Sequence, residues 1–330
     1  MERNCLVDKL KGYACFLVLF GHVIMGVRLA GIHIPSVFEG VEKFVWSFHV
    51  PLFLFLSGVV YQETGEWTRK KTKSKFILYK LYTLGVPYVV FSVVYIVINA
   101  VVGQTNTQSS IVDVFRIWKT PVAQYWYLYA LFFLFCIWAA CSGILPNWAI
   151  TVGVVLVAYI APRFGVNWGS FDIVVYSALA FGLGTSLRFS SLTKLPDWGK
   201  WGVVLSHLAV DVCLIGLDLI DVQGIDEIMQ LYGIYASILF ISMIQKWKPV
   251  ARFLGFMNRY SFQIYLLHTS FTAGIRIVLQ RMGITQWWIH VLIGTVCGIV
   301  CSVFVADVAK KSRFLKFFFF PGKVWRKGAS

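Results

Sequence analysis

From Thr120 to Pro162 the chain carries no charged residue and no histidine. A membrane helix takes about 20 mostly apolar residues, so this run is long enough for two. Gly143-Ile144-Leu145-Pro146-Asn147 supplies the turn chemistry that separates them. Applied along the whole chain, the same criterion marks ten segments: 12–31, 44–62, 76–102, 124–142, 147–162, 170–187, 201–220, 228–245, 258–279 and 287–309. Backbone groups in lipid must be paired within the protein, which makes these segments helices. The expected fold is an all-α integral membrane protein with about ten transmembrane helices, forming one membrane domain over 1–330. Composition agrees. Charged residues make up 14% of the chain, against roughly 25% in soluble proteins, too few to cover a soluble surface.

Lys and Arg alone set the orientation. With the N-terminus inside, 23 of the 30 fall in inside segments. These are Arg3, Lys9 and Lys11; the cluster from Arg69, Lys70 and Lys71 to Lys80; Arg188, Lys194 and Lys200; the group from Lys246 to Arg259; and the tail from Lys310 to Arg326 and Lys327. Outside segments hold Arg28, Lys43, Arg116, Lys119, Arg163, Arg276 and Arg281. Both termini are therefore expected in the cytoplasm. The net charge of +15 reads as positive-inside bias and not as a nucleic-acid footprint. The tail, with Phe317 to Phe320 and Trp325 among its lysines, is expected along the inner headgroup surface. The basic start followed by an apolar stretch resembles a signal peptide, but no small-residue cleavage site follows, and the stretch is taken as the first span. The seven cysteines include no C-x-x-C pair and read as small hydrophobes; no metal site is expected.

Ionisable groups inside the membrane are costly and so are the first functional candidates. His22 follows Lys11 by eleven residues, about 16 Å of helix axis, which puts it near mid-membrane. His49 lies beside Pro51 near the outer end of the second segment, and His268 lies within the ninth. His207 and Asp211 share a face of the seventh. Each has an inert reading, a hydrogen bond to a neighbouring helix, and for His207 and Asp211 a structural tie is the preferred one. Cys15 shares the stripe of His22, which leaves a Cys–His nucleophile as an alternative. The nucleotide, hydrolase and metalloprotease motifs of soluble enzymes are absent.

These polar residues sit in phrases that resemble the acyltransferase 3 family. Val7-Asp8-Lys9-Leu10-Lys11-Gly12-Tyr13-Ala14, then His22, is similar to the family's opening Asp-x-x-Arg/Lys-Gly and its histidine ten residues further. Phe48-His49-Val50-Pro51-Leu52-Phe53 through Ser57-Gly58 resembles the second-helix phrase. Trp126-Tyr127-Leu128 resembles the Trp-Phe-Leu helix, and Ser261-Phe262-Gln263-Ile264-Tyr265-Leu266-Leu267-His268 the late histidine helix. Two features depart from the family. The third segment offers only Lys80 where the family often has arginine before its proline, here Pro87, and no soluble esterase-like domain follows the tenth segment.

The resemblance implies a multi-pass enzyme of the cell membrane that moves an acyl group, usually acetyl, from cytoplasmic acyl-CoA to a carbohydrate hydroxyl. It makes His22 the general base or an acyl relay, with His268, Asp8 and His49 in support. Lys11, Lys9 and Lys80 would meet the CoA phosphates; Asp8 would orient Lys11 or be solvated. Arg28 and Trp126 would lie on the acceptor side, Arg28 alternatively snorkelling. The implied partners are acetyl-CoA, a glycan or lipid-linked glycan and membrane lipid, with no bound cofactor and no nucleic acid. The competing classes are a transporter or flippase for a glycolipid or small anion, against which the lack of paired Gly/Pro-broken halves weighs, and a non-catalytic scaffold.

Overall fold

The computed structural model describes residues 5–65, 72–102, 110–222 and 224–328. Arg3, Arg69, Lys70 and Lys71, counted above toward the inside charge, lie outside the described residues, as do the side chains of Arg326 and Lys327. The described residues form helices α1 (Cys5–Leu29), α2 (Ser36–Thr64), α3 (Lys73–Lys80), α4 (Val86–Val102), α5 (Trp126–Cys141), α6 (Asn147–Ile160) and α7 (Asp172–Ser186). They continue with α8 (Asp197–Gly216), α9 (Ile225–Ile244), α10 (Lys248–Arg281), α11 (Trp287–Ala309), α12 (Arg313–Phe319) and α13 (Pro321–Gly328).

Each of the ten apolar segments carries a helix. Eight spans among the described residues are long and apolar enough to cross a membrane. The other two segments correspond to α7, of 15 residues, and α10, of 34 residues. The first is shorter than a bilayer core requires. The second carries Lys248, Arg252, Arg259, Arg276 and Arg281 along with its apolar residues. Several boundaries move outward from the expected ones. α1 begins at Cys5 and not at 12, so Asp8, Lys9 and Lys11 are helical; α10 begins at Lys248 and not at 258. Hydropathy marks where the apolar stretch begins, and helices run past it because Lys and Arg are good helix formers and an acidic residue such as Asp8 suits the first turn.

The chain divides into two compact units, Met1–Leu56 with Arg188–Ala306, and Ser57–Leu187 with Asp307–Ser330. In the first, α1 and α10 run parallel and in step. Lys9 Nζ donates to Ala251 O (2.6 Å), Cys15 Sγ lies 3.8 Å from Ser261 O, Arg276 Nη1 donates to Gly26 O (2.8 Å), and Gln280 Nε2 donates to Ala30 O (3.4 Å). Glycine permits this closeness: a methyl on Gly12 would overlap the carbonyl of Leu254. α11 descends against α1, with Gly294 facing Val23 and Gly298 facing Leu19 and Thr272. The first part of α2 also runs against α1, packing Val45 and Phe48 on Leu17. On α9, Gly233 leaves room for the ring of Phe48.

In the second unit, α3 passes into α4 through one π-helical turn, Leu81–Gly85. Pro87 explains it: a proline ring clashes with the carbonyl four residues back, here that of Thr83, and a widened turn relieves the clash. Gly58 packs against the Phe181 carbonyl, and Trp138 Nε1 donates to Thr185 Oγ1 (3.0 Å). The expected break between α5 and α6 falls at a turn in which Gly143 adopts φ +86°, a left-handed conformation open to glycine. The tail helices put their rings on α3, the π turn and α4: Phe317 and Trp325 on Tyr82 (5.0 and 5.3 Å), Trp325 on Tyr79 (5.8 Å) and Phe319 on Phe91 (5.2 Å).

Candidate active site

Three helices of the first unit each bring one histidine to the same place. The His22 ring on α1 lies edge-on to the His268 ring on α10, with centroids 5.0 Å apart. Trp46 on α2 bridges to the third: its ring is 5.2 Å from His22 and 5.0 Å from His49. The in-step pairing of α1 with α10 sets the first contact, and the descent of α2 against α1 sets the second. Sequence reasoning named all three histidines and missed Trp46. The signal was there, since Trp46 precedes His49 by three residues and so shares its face.

The hydrogen bonds define the tautomers. Nδ1 of His22 meets Val18 O at 2.8 Å, Nδ1 of His49 meets Val45 O at 2.7 Å, and Nδ1 of His268 meets Ile264 O at 2.8 Å. A carbonyl only accepts, so each Nδ1 is the donor and carries the proton of the neutral ring. Each Nε2 therefore keeps its lone pair. The three differ in access. His49 and His268 are fully buried, and their Nε2 atoms have no hydrogen-bond partner among the described residues. His22 is half-buried, the most accessible of the three. Cys15 turns its sulfur to Ser261 O (3.8 Å) and is buried. Among the described residues no group of three or more His, Cys, Asp or Glu is arranged to hold a metal ion.

The expected donor-side and acceptor-side residues separate. Asp8, Lys9 and Lys11 lie in the first turns of α1, with the Lys9 ammonium on the Ala251 carbonyl. Arg28, one to two turns beyond His22, makes a two-pronged ion pair with the buried Glu42 of α2, Nε to Oε2 at 2.9 Å and Nη2 to Oε1 at 2.8 Å. Lys80 and Trp126 belong to the second unit. The Lys80 ammonium stands 4.0 Å from the Phe135 ring centroid, with Phe76 and Tyr79 at 5.2 and 5.4 Å, a stabilising arrangement for a cation. Trp126 opens α5 next to Tyr127, whose hydroxyl meets Ser57 Oγ at 3.1 Å. Arg276, counted above with the outside charge, is a buried residue of α10.

His207 and Asp211 on α8 are buried side by side, with Nε2 and Oδ2 3.0 Å apart but not aligned for a hydrogen bond. Phe44 and Phe48 of α2 (both 5.6 Å) and Tyr232 of α9 (5.0 Å) surround the imidazole. His207→Ala is expected to leave Asp211 buried without its partner, destabilising the protein by about 1–3 kcal/mol. The check is the thermal unfolding midpoint of purified protein, which should fall more for His207→Ala than for the double replacement His207→Leu with Asp211→Leu.

The described helices are those of a polytopic membrane protein, and three of them bring their histidines together. A family model described as an acyltransferase domain matches residues 7–307 of the 330. The chain belongs to this acyltransferase 3 family, and membership implies membrane acyltransferase activity. Comparison with curated proteins and with solved structures returned no match.

Proposed function

We propose that the protein is a multi-pass enzyme of the cell membrane that moves an acetyl group from cytoplasmic acetyl-CoA to a hydroxyl of a cell-surface polysaccharide or its lipid-linked precursor. In this reading the chain crosses the membrane ten times with both termini in the cytoplasm. The observation that carries it is His22: a neutral, half-buried imidazole whose Nδ1 is committed to Val18 O, leaving a basic Nε2.

The chemistry follows from that lone pair. Nε2 takes the proton of the acceptor hydroxyl as its oxygen attacks the thioester carbonyl carbon. The C=O electrons move onto oxygen and return as the C–S bond breaks. The departing thiolate of CoA recovers the proton from the imidazolium, so an ester and free CoA-SH leave, and His22 is neutral again. His268 and Trp46 confine the ring. A variant of the route passes the acetyl group through His22 Nε2 itself. Lys11, with Lys9, supplies positive charge for the CoA phosphates, and Lys acts there as a point charge. Asp8 sits on the same turns of α1 as Lys11. Arg28, held by Glu42, stands on the acceptor side of α1.

The test uses membranes holding the protein, labelled acetyl-CoA and surface-glycan extract, with released CoA thiol measured in parallel. Label in the glycan matched by thiol release supports the transfer. Uptake of glycolipid or anion with neither would give the transporter reading instead. Lys11→Ala is expected to raise the KM for acetyl-CoA by about tenfold, the loss of one charge-assisted contact of about 1.5 kcal/mol, and to leave kcat within a factor of two or three; initial rates against acetyl-CoA concentration check this.

A further inference from the structure

Trp46 is 36% exposed, although Val45, Ser47 and Phe48 around it are buried and His49 is sealed. Its indole crosses α1 at Gly21, where an added methyl would lie 3.5 Å from Nε1. The sealed His49 ring meets it edge-on at 84°, and the half-buried His22 ring meets it at 49°. The indole N–H forms no hydrogen bond among the described residues. Lipid explains this arrangement poorly. A tryptophan usually anchors at the headgroups, whereas this one stands level with His22, and an N–H turned to hydrocarbon goes unpaired at a cost. Two adjoining rings that are both partly open front the same space. That space is the one through which a hydroxyl would come to His22 Nε2.

The chemistry of an indole says what would fill it. The aromatic face is negative, and a pyranose ring can turn slightly positive C–H bonds to such a face. Its hydroxyls then project from the rim of the stack, toward a base that stands tilted beside the aromatic plane, as His22 does. The indole N–H can donate to a ring or hydroxyl oxygen. One turn before Trp46 on α2, Glu42 holds Arg28 with both carboxylate oxygens. That pair is internally neutral and favours an uncharged sugar over a charged one. We propose that Trp46 is the platform on which a neutral pyranose ring of the acceptor stacks, presenting a rim hydroxyl to His22. This rests on the transferase reading above and deepens it: it adds an acceptor-binding residue and a substrate class, an uncharged six-membered sugar ring.

Saturation-transfer NMR on the purified protein in lipid nanodiscs tests it without relying on turnover, with the protein's aromatic protons irradiated and empty nanodiscs as the blank. The probes are methyl β-glucoside, methyl β-galactoside, glucuronate and glucitol, an open-chain polyol with no ring to stack. Wild type should pass saturation to the ring C–H protons of at least one glycoside, less to glucuronate and little to glucitol. Trp46→Leu should lower the glycoside signal about five-fold or more, the loss of an aromatic stack, while Trp46→Phe, which keeps an aromatic face, should retain most of it. Should Trp46→Leu not fold, Trp46→Met takes its place, being long and apolar without a ring. No glycoside signal from wild type, a glucitol or glucuronate signal as strong as the glycosides', or a glycoside signal unchanged in Trp46→Leu would overturn the proposal. Acetyl transfer to surface glycan by the same wild-type preparation reports separately on the transferase reading. Transfer without a glycoside signal sinks the platform alone, and a Trp46-dependent glycoside signal without transfer sinks the transferase reading alone.

Discussion

His22→Ala is expected to lower the rate of acetyl transfer by about 10²–10⁴-fold, the usual contribution of a positioned general base, with little change in the KM for acetyl-CoA. The reasoning is geometric. Among the three histidines His22 alone is half-buried; His49 and His268 are sealed. Its Nδ1 proton is held by Val18 O, so the substrate meets a fixed lone pair. Because the ring is not fully packed, its removal should leave the unfolding midpoint within a few degrees of wild type, separating lost chemistry from lost structure. His22→Gln should be as inactive as alanine, since an amide of similar size offers no lone pair of comparable basicity. If the acetyl group travels on His22, a brief quench of wild type with labelled acetyl-CoA and no acceptor should leave label on the protein, and His22→Gln should not. A rate for His22→Ala within two-fold of wild type would remove His22 from the chemistry.

Gly12→Ala is the second large effect, and it acts on stability. The added methyl has no room, since it would overlap the backbone carbonyl of Leu254, and a backbone atom cannot rotate aside as a side chain can. α1 and α10 must then separate near their basic ends. Overpacking of this kind costs about 3 kcal/mol when the opposing atoms are rigid. The separation should propagate along the pair, because Lys9 to Ala251 lies just below and His22 to His268 above. Gly12→Ala is therefore expected to lower both the unfolding midpoint and the acetylation rate, whereas Gly153→Ala on α6, where a methyl meets nothing within 4 Å, should change neither. Thermal unfolding of the purified variants, followed by initial rates on the folded fraction, checks both.

The helices were legible in the sequence because lipid imposes one rule, continuous apolar length. Their ends were less so. Asp8, Lys9 and Lys11 are helical although they are charged, because interface residues extend a helix beyond the hydrocarbon without altering hydropathy in its middle. The histidines were legible because an ionisable group in an apolar run stands out. What pairs them was not. The contact of His22 with His268 depends on α1 and α10 lying parallel and in step, and that register is set by Gly12 and Gly26, small residues whose importance shows only once a partner helix is in place. Trp46 was hidden for a different reason: an aromatic near a membrane surface has an interfacial explanation already. The bond of Arg276 to Gly26 O was not legible either, because an arginine near a helix end reads as a solvated charge until a partner helix is in place.

The central claim is that His22 drives transfer of acetyl from acetyl-CoA to a sugar hydroxyl. Its most direct test is single-turnover transfer by purified protein in nanodiscs, with labelled acetyl-CoA and an isolated surface glycan, comparing wild type with His22→Ala at equal folded concentration. The expected result is label in an alkali-labile ester on the glycan, one CoA thiol released per ester, and neither product with His22→Ala. Thiol release and ester formation at equal rates by both proteins would contradict it, as would label that never reaches the glycan in either.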